Sequence, residues 1–245
     1  MKREVKSIIL AAGKGTRMGS DLPKVLHEVA GKPMISHVLE TLKNVKEITE
    51  NVLVLGYKKE EIIEKALTSG ESHVEQKEQL GTGHAVKMAK EKLANFNGDI
   101  IIAYGDCPLI TQETIEKLIA EHQENNVVCT VLTAHLDNPS GYGRIVKKQG
   151  YVSAIVEELD ATQEIKDIKE VNSGVYVVNC KKLFEALDNV KNNNAKGEYY
   201  LTDIVSYFVS KGLKVHSWKT PDILEIQGIN TPEQLAYVEH VLKHR

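Results

Sequence analysis

The chain has 245 residues, with 31 lysines and arginines against 34 aspartates and glutamates, a formal net charge of −3. That near-neutral balance excludes binding to nucleic acid or an anionic membrane by bulk electrostatics, although a few local cations suffice for a small anionic substrate. With 42% apolar and 27% charged residues, the composition is that of a globular protein long enough for one large α/β domain without disulfides. The longest apolar run near the start, 8–12, is too short for a signal-peptide core or a membrane span. Cys107, Cys129 and Cys180 form no metal spacing and are odd in number, which points to a reducing, cytoplasmic compartment.

In chain order, residues 5–10 read as a buried strand followed by a Gly-rich turn. A helix opens at Pro33 with Met34, Ile35, Val38, Leu39 and Leu42 on one face. A strand at 52–55, a helix at 60–67, a short strand beginning at Val74 and a helix at 84–94 follow. The apolar run 100–104 predicts a central strand covered on both faces. Thr111 reads as the N-cap of a helix carrying Ile115, Leu118 and Ile119, and 127–132 as a strand. Such alternation implies an α/β fold with a mostly parallel sheet and right-handed crossovers. After Asp137 the pattern changes: 145–146 and 152–156 predict a hairpin, 175–178 a strand. An α+β lobe, roughly 137–215, is expected to be inserted on the parallel sheet, and 231–245 to form an amphipathic helix.

The run L-A-A-G-K-G-T-R-M-G at 10–19 carries the strongest chemical signal. Glycines at 13, 15 and 19 let backbone N–H groups turn toward phosphates, with Lys14 and Arg17 adding cations and Pro23-Lys24 just beyond. Met18 stands where the dinucleotide fingerprint needs glycine, and Gly15 follows Lys14 where a P-loop needs Ser or Thr. Asp106 lies just past the strand at 100–104, where ligands bind in open parallel sheets, and a carboxylate there can hold Mg²⁺. A turn carboxylate before Pro108 is the plainer local reading. His240 and His244, spaced i, i+4, suit a helix C-terminus better than a metal.

Together with Leu22-Pro23-Lys24, this run resembles the G-x-G-T-R-M…P-K signature of sugar-phosphate nucleotidyltransferases. The resemblance extends through the blocks at 79–85, 104–110, 141–145, 172–174 and 192–203, and is most specific to the pyrophosphorylases that make UDP-N-acetylglucosamine. It implies a Rossmann-like, mostly parallel sheet flanked by helices, of the nucleotide-diphospho-sugar transferase type, with the catalytic domain at 1–230. It also implies transfer of a uridylyl group from UTP to N-acetylglucosamine 1-phosphate with Mg²⁺ as cofactor. Arg17, Lys24 and Asp106 are then catalytic, and Asp106 and Asn230 ligate the metal. Leu10, Ala11, Ala12, Gly13, Lys24, Gln76, Gly81, Thr82, Tyr104 and Gly105 would bind the nucleotide. Gly143, Glu157, Asn172, Tyr200 and Thr202 would bind the sugar.

The sequence departs from the family pattern at two places. Leu159 stands where V-E-x-K-D-A has lysine, which removes a cation near the expected sugar phosphate and makes sugar selectivity the point to test. Asn230 is followed by Thr231-Pro232 where an arginine at the third position is commoner. The chain carries no hexapeptide repeats of the β-helix acetyltransferase domain that follows in full-length relatives, so a monomer is expected. Two alternatives stay open: another sugar 1-phosphate such as glucose 1-phosphate, or a nucleotide-sugar-binding regulatory domain without turnover.

Overall fold

In the computed structural model, which describes residues 3–67 and 71–244, the chain opens with β1 (Val5–Ala11). A short hairpin, β2 (Glu28–Val29) and β3 (Lys32–Pro33), and helix α1 (Met34–Asn44) come next. Then follow β4 (Ile48–Leu55), α2 (Lys59–Ala66), β5 (Ser72–Glu75), α3 (Thr82–Lys87), β6 (Asp99–Tyr104) and α4 (Gln112–Asn125). The second half holds β7 (Cys129–His135), β8 (Arg144–Lys148), β9 (Tyr151–Val156), α5 (Gln163–Lys166) and β10 (Glu170–Asn179). It closes with α6 (Cys180–Leu187), α7 (Asp203–Ser210), β11 (Val215–Lys219) and α8 (Pro232–His244). Residues 1 and 245, the outer limits of the expected domain and terminal helix, lie outside the described residues. Among the described residues no helix is long and apolar enough to cross a membrane.

The sheet runs β11-β7-β10-β6-β1-β4-β5. Along this path the pairings are parallel except those of β10, which lies antiparallel between β6 and β7. Continuous apolar strands are explained by burial on both faces. Ile8, Leu10, Ile100 and Ile102 enter one core, and Ile9, Ala11, Ile101 and Ala103 the other. Each buried Ile or Leu among these contributes about 1.5–3 kcal/mol relative to exposure. A third cluster joins Met18, Val29, Met34, Leu109, Ile229 and Val238, pinning α8 against the Gly-rich loop.

Elements of the expected lobe meet the parallel sheet directly. The β8–β9 hairpin forms as predicted and joins the sheet through Val171 and Arg144, but β10 and β11 lie within the main sheet. Periodicity marked only the middle of β10 and missed α6, α7 and β11, which are eight residues or fewer. The helix expected at 84–94 ends early. Past Lys87 the backbone tightens into turns, with Met88, Ala89 and Lys90 each donating to the carbonyl three residues back at 3.0–3.1 Å. Ala89, Leu93 and Phe96 still face the core.

The direction of winding reverses at β1, which has β4 and β5 on one side and β6 on the other. The carboxyl ends of β1 and β6 are therefore where a ligand crevice opens. Leu10 and Tyr104 are neighbours there, in register.

Candidate active site

Leaving β1, the chain turns through Gly15 and Gly19, both left-handed at φ 70° and 63°, around a single 3-10 turn at Thr16–Met18. Met18 is buried beneath it, which explains why an apolar residue sits in a loop of glycines and cations. Lys24 Nζ donates to Asp106 Oδ2 and, at 3.1 Å, to Asn230 Oδ1. Arg17 Nη2 donates to the same Asn230 Oδ1 at 2.9 Å. Three residues far apart in sequence thus converge with Arg17 on one point. Lys14, expected to serve phosphates, is exposed, with its ammonium 5.9 Å from the centre of the Tyr57 ring.

Asn230 belongs to both readings the sequence allowed. Thr231 Oγ1 accepts from the Gln234 N–H at 3.4 Å, and Pro232 takes the first helical position of α8, so Thr-Pro is a helix start. Gln234 Oε1 accepts from the Asn230 N–H at 2.7 Å, leaving the Asn230 side chain for the site. The Ile229 N–H donates to the Asp106 carbonyl at 2.9 Å, docking this segment on the end of β6.

Around that point the crevice has two halves. One, of about 370 Å³, is walled by Leu10, Ala11, Ala12, Gly13, Lys24, Gln76, Gly81 and Thr82. The other, of about 460 Å³, is walled by Arg17, Gly143, Glu157, Asn172, Tyr200 and Thr202. Tyr104, Asp106 and Asn230 line both. Every expected nucleotide residue except Gly105 falls in the first half, and every expected sugar residue in the second. Gly105 is buried behind the wall, and its N–H is spent on the Leu10 carbonyl at 3.0 Å, so it has no donor left for a ligand.

The two halves are tied by backbone. Tyr199 N–H donates to Leu80 O, and Gly83 N–H donates to Tyr199 O, both at 2.8 Å. Gly81, at φ 115°, lets the strands of this clasp approach; a β-carbon there would lie 2.6 Å from Tyr199 O. Gly174 does the same for Tyr104, whose ring would be 2.6 Å from an added β-carbon.

In the second half, Asn172 Oδ1 accepts from the Gly174 N–H at 3.0 Å and the Tyr176 hydroxyl at 2.9 Å. Its amide hydrogens are what remain for a ligand. Thr202 donates to Glu157 Oε1 at 3.2 Å. Burial pushes the Glu157 carboxyl up, Asp203 and Asp160 add to this, and Thr202 and Lys196 partly offset it. The Tyr200 hydroxyl, on a residue only 7% exposed, has no hydrogen-bond partner among the described residues, and burial raises its pKa to about 12.

Sequence reasoning missed the support beneath this half. Arg144, 2% exposed, donates to Glu158 Oε2 at 2.7 Å, Lys166 O at 3.2 Å and Tyr142 O, while the Gly141 N–H donates to the same Glu158 Oε2 at 3.2 Å. This fixes the turn carrying Gly143, and an arginine opening a strand carries no local sign that it is buried. Lys196, Glu198 and Cys107 also line the crevice. Leu159 does not: it is 64% exposed, so the missing lysine is not missing from the wall.

Asp106 and Asn230 fit a hard divalent cation, since both turn an oxygen onto one cationic point, now met by the Lys24 ammonium. Among the described residues no group of three or more His, Cys, Asp or Glu could hold a metal, so phosphate or water oxygens must complete any Mg²⁺ shell.

Residues 7–199 match the family described as the MobA-like NTP transferase domain. Over 240 residues the sequence is 48% identical to the bifunctional protein GlmU of Streptococcus thermophilus, covering 98% of this chain and 52% of that protein. It is 46% identical over 243 residues to the bifunctional protein GlmU of Alkaliphilus metalliredigens, covering 99% of this chain and 53% of that one. The chain spans about half the length of these curated relatives. Its fold is similar to that of UDP-glucose pyrophosphorylase complexed with UDP-glucose, with a TM-score of 0.79 at 19% identity, over 99% of this chain and 100% of that one.

Proposed function

The chain belongs to the MobA-like NTP transferase family, and from that premise we propose that it transfers a uridylyl group from UTP to N-acetylglucosamine 1-phosphate. The products are UDP-N-acetylglucosamine and pyrophosphate. One observation carries the reading: two half-cavities, one floored by backbone and an amide, one rich in polar side chains, meet at Asp106 and Asn230, the two residues that the Lys24 ammonium bonds. Two ligands seated in them would touch through their phosphates at that point. Identity of 46% and 48% to two GlmU proteins, over 99% and 98% of this chain, supports the choice of nucleotide and sugar.

The chemistry asks little of the protein beyond placement. An oxygen of the sugar phosphate, already ionised at neutral pH, attacks the α-phosphorus of UTP. The new O–P bond forms as the bond to pyrophosphate breaks, and pyrophosphate leaves with that electron pair. Neither a covalent intermediate nor a strong general base is needed, so catalysis consists of positioning and charge neutralisation. Lys24, on the wall of the first half and held by Asp106, contacts phosphate oxygens. Arg17 stabilises charge developing toward pyrophosphate. Mg²⁺, held by Asp106 and Asn230, supplies further neutralisation of the phosphate oxygens when bound. The Asn172 amide hydrogens suit an N-acetyl carbonyl, and the Glu157 carboxylate suits sugar hydroxyls.

The deciding experiment is a pyrophosphate-release assay with UTP, Mg²⁺ and four sugar 1-phosphates. N-acetylglucosamine 1-phosphate should give the highest kcat/KM. Preference for glucose 1-phosphate would reassign the sugar, and tight binding of UDP-N-acetylglucosamine without turnover would point to a regulatory domain.

A further inference from the structure

Gln76 is 3% exposed and lines the nucleotide half. Its Nε2 donates to the Gly81 carbonyl at 3.1 Å and lies 3.0 Å from His84 Nδ1. A carbonyl oxygen can only accept, so the amide group facing Gly81 must be the NH₂, whichever way an amide is drawn. Its other hydrogen then goes to His84 Nδ1, which must be the unprotonated nitrogen, with the ring proton on Nε2. Both amide hydrogens are spent. What Gln76 has left for a ligand, among the described residues, is Oε1, an acceptor.

We propose that His84 is a positioning residue that sets the base preference of the nucleotide half by fixing the orientation of the Gln76 amide. The proposal rests on the uridine reading of that half. The ring of uracil presents an N3–H, which Oε1 accepts. Cytosine presents a lone pair at N3, and two acceptors then face each other. Turning the amide over would reverse this choice, but it would set Oε1 against the Gly81 carbonyl and require the proton of His84 on Nδ1. Gly81 and His84 therefore enforce one orientation.

His84 does not line the nucleotide half, so it reaches the base only through Gln76. It sits in the first turn of α3, with its ring 6.4 Å from that of Tyr199, and lines a separate cavity of about 490 Å³ with Lys87 and Asp188. Tyr199 is also the residue whose backbone clasps Leu80 and Gly83. The imidazole is thus held between the base site and a second hollow. A role in packing alone would make the identity of the atom at Nδ1 unimportant. A role in orientation makes it decisive.

Three variants separate these roles, measured by calorimetric binding of UTP and CTP so that no sugar substrate is involved. His84→Leu removes the acceptor and should lower the UTP-to-CTP affinity ratio about tenfold, the worth of one hydrogen bond. His84→Lys offers only donors and should lower it further. His84→Asn, with Oδ1 in place of Nδ1, should restore most of it. The tautomer is read separately from long-range ¹H–¹⁵N correlations of the imidazole in the ligand-free protein, where Nδ1 should be the unprotonated nitrogen. A protonated Nδ1 at neutral pH overturns the proposal whatever the affinities. A wild-type preference for UTP that survives in the Leu and Lys variants overturns it while leaving the uridine reading intact. Equal wild-type affinity for the two nucleotides overturns both.

Discussion

Gly15 and Lys24 fit together because one of them has no side chain. A β-carbon on Gly15 would run into Lys24 Cβ, on the residue whose ammonium holds Asp106 and Asn230. Gly15→Ala should therefore act on chemistry more than on folding. Its φ of 70° adds about 1–2 kcal/mol of strain. Displacing the Lys24 ammonium by about 1 Å is expected to cost about a hundredfold in turnover. Thermal unfolding and pyrophosphate release on the same sample check the split; equal losses in a Leu22→Ala control would remove the special role of Gly15.

Arg17→Ala should cut kcat by about 10²–10³-fold, the measured scale for deleting one preorganised donor, and Asp106→Ala, which removes the acceptor that holds Lys24, by a similar factor, with the fold retained. Arg17 is exposed and, among the described residues, its side chain bonds only Asn230, so its loss cannot be explained by unfolding. Near-normal turnover in either variant would sink the catalytic assignment.

The departure at Leu159 should matter little. Leu159 points to solvent, and Leu159→Lys is expected to shift stability by less than about 0.5 kcal/mol and to leave the order of sugar 1-phosphates unchanged. Lys196→Ala, by contrast, removes a cation from the wall of the second half and from the neighbourhood of Glu157. KM for the sugar phosphate should rise, with KM for UTP unmoved.

Glu157→Gln should trade binding for stability. Burial raises the Glu157 carboxyl above its ordinary value. A raised carboxyl favours folding fully below its unfolded pKa and loses that contribution as pH rises through the folded one. At neutral pH the amide should thus stabilise the free protein by about 0.5–2 kcal/mol, with the gain vanishing below about pH 4. Sugar-phosphate KM should rise about tenfold for the lost charged acceptor. Urea unfolding at pH 7 and pH 4 tests the first half, steady-state kinetics the second.

Far from the crevice, Asp99 shows the opposite sign. Burial pushes its carboxyl up, but the neighbouring His122 ring and the hydrogen bond from Arg3 more than offset this and leave it below the ordinary value. Arg3 Nε lies at 2.7 Å and His122 Nε2 at 3.5 Å, and the Asp99 side chain is fully buried. A depressed carboxyl adds stability above its unfolded pKa and loses it as pH falls through the folded value. Asp99→Asn should cost about 1.5–3 kcal/mol at pH 7. The gap to wild type should close below about pH 4. A gap that is constant from pH 7 to pH 3 would rule out this linkage.

Much of the crevice was legible because its residues lie in short contiguous runs. The Gly-rich turn, the block after β6 and the turn before α3 each place several wall residues within a few positions, so motif and location coincide. Asn230 was legible only through resemblance, since its local signal, a Thr-Pro helix start, is equally real.

The sequence by itself determined the alternation of strands and helices, the Gly-rich loop after β1 and the types of side chain that line the crevice, because these depend on neighbours a few residues apart. Local spacing does not say which way a side chain or an N–H points: the structure sets Lys14 beside Tyr57, turns the Gly105 N–H to Leu10 and leaves Leu159 in solvent. Only the tertiary structure decided that β10 enters the sheet antiparallel, that Arg144 is buried under the second half, and that Lys24, Asp106 and Asn230 meet. Those contacts span 82 to 206 residues of chain. Their geometry is set by packing of β1, β6 and α8 around the three cores, and no local pattern encodes it. The near-neutral total charge offers no bulk attraction to polyanions, whereas the fold gathers Arg17 and Lys24 around Asp106 and Asn230 in the crevice.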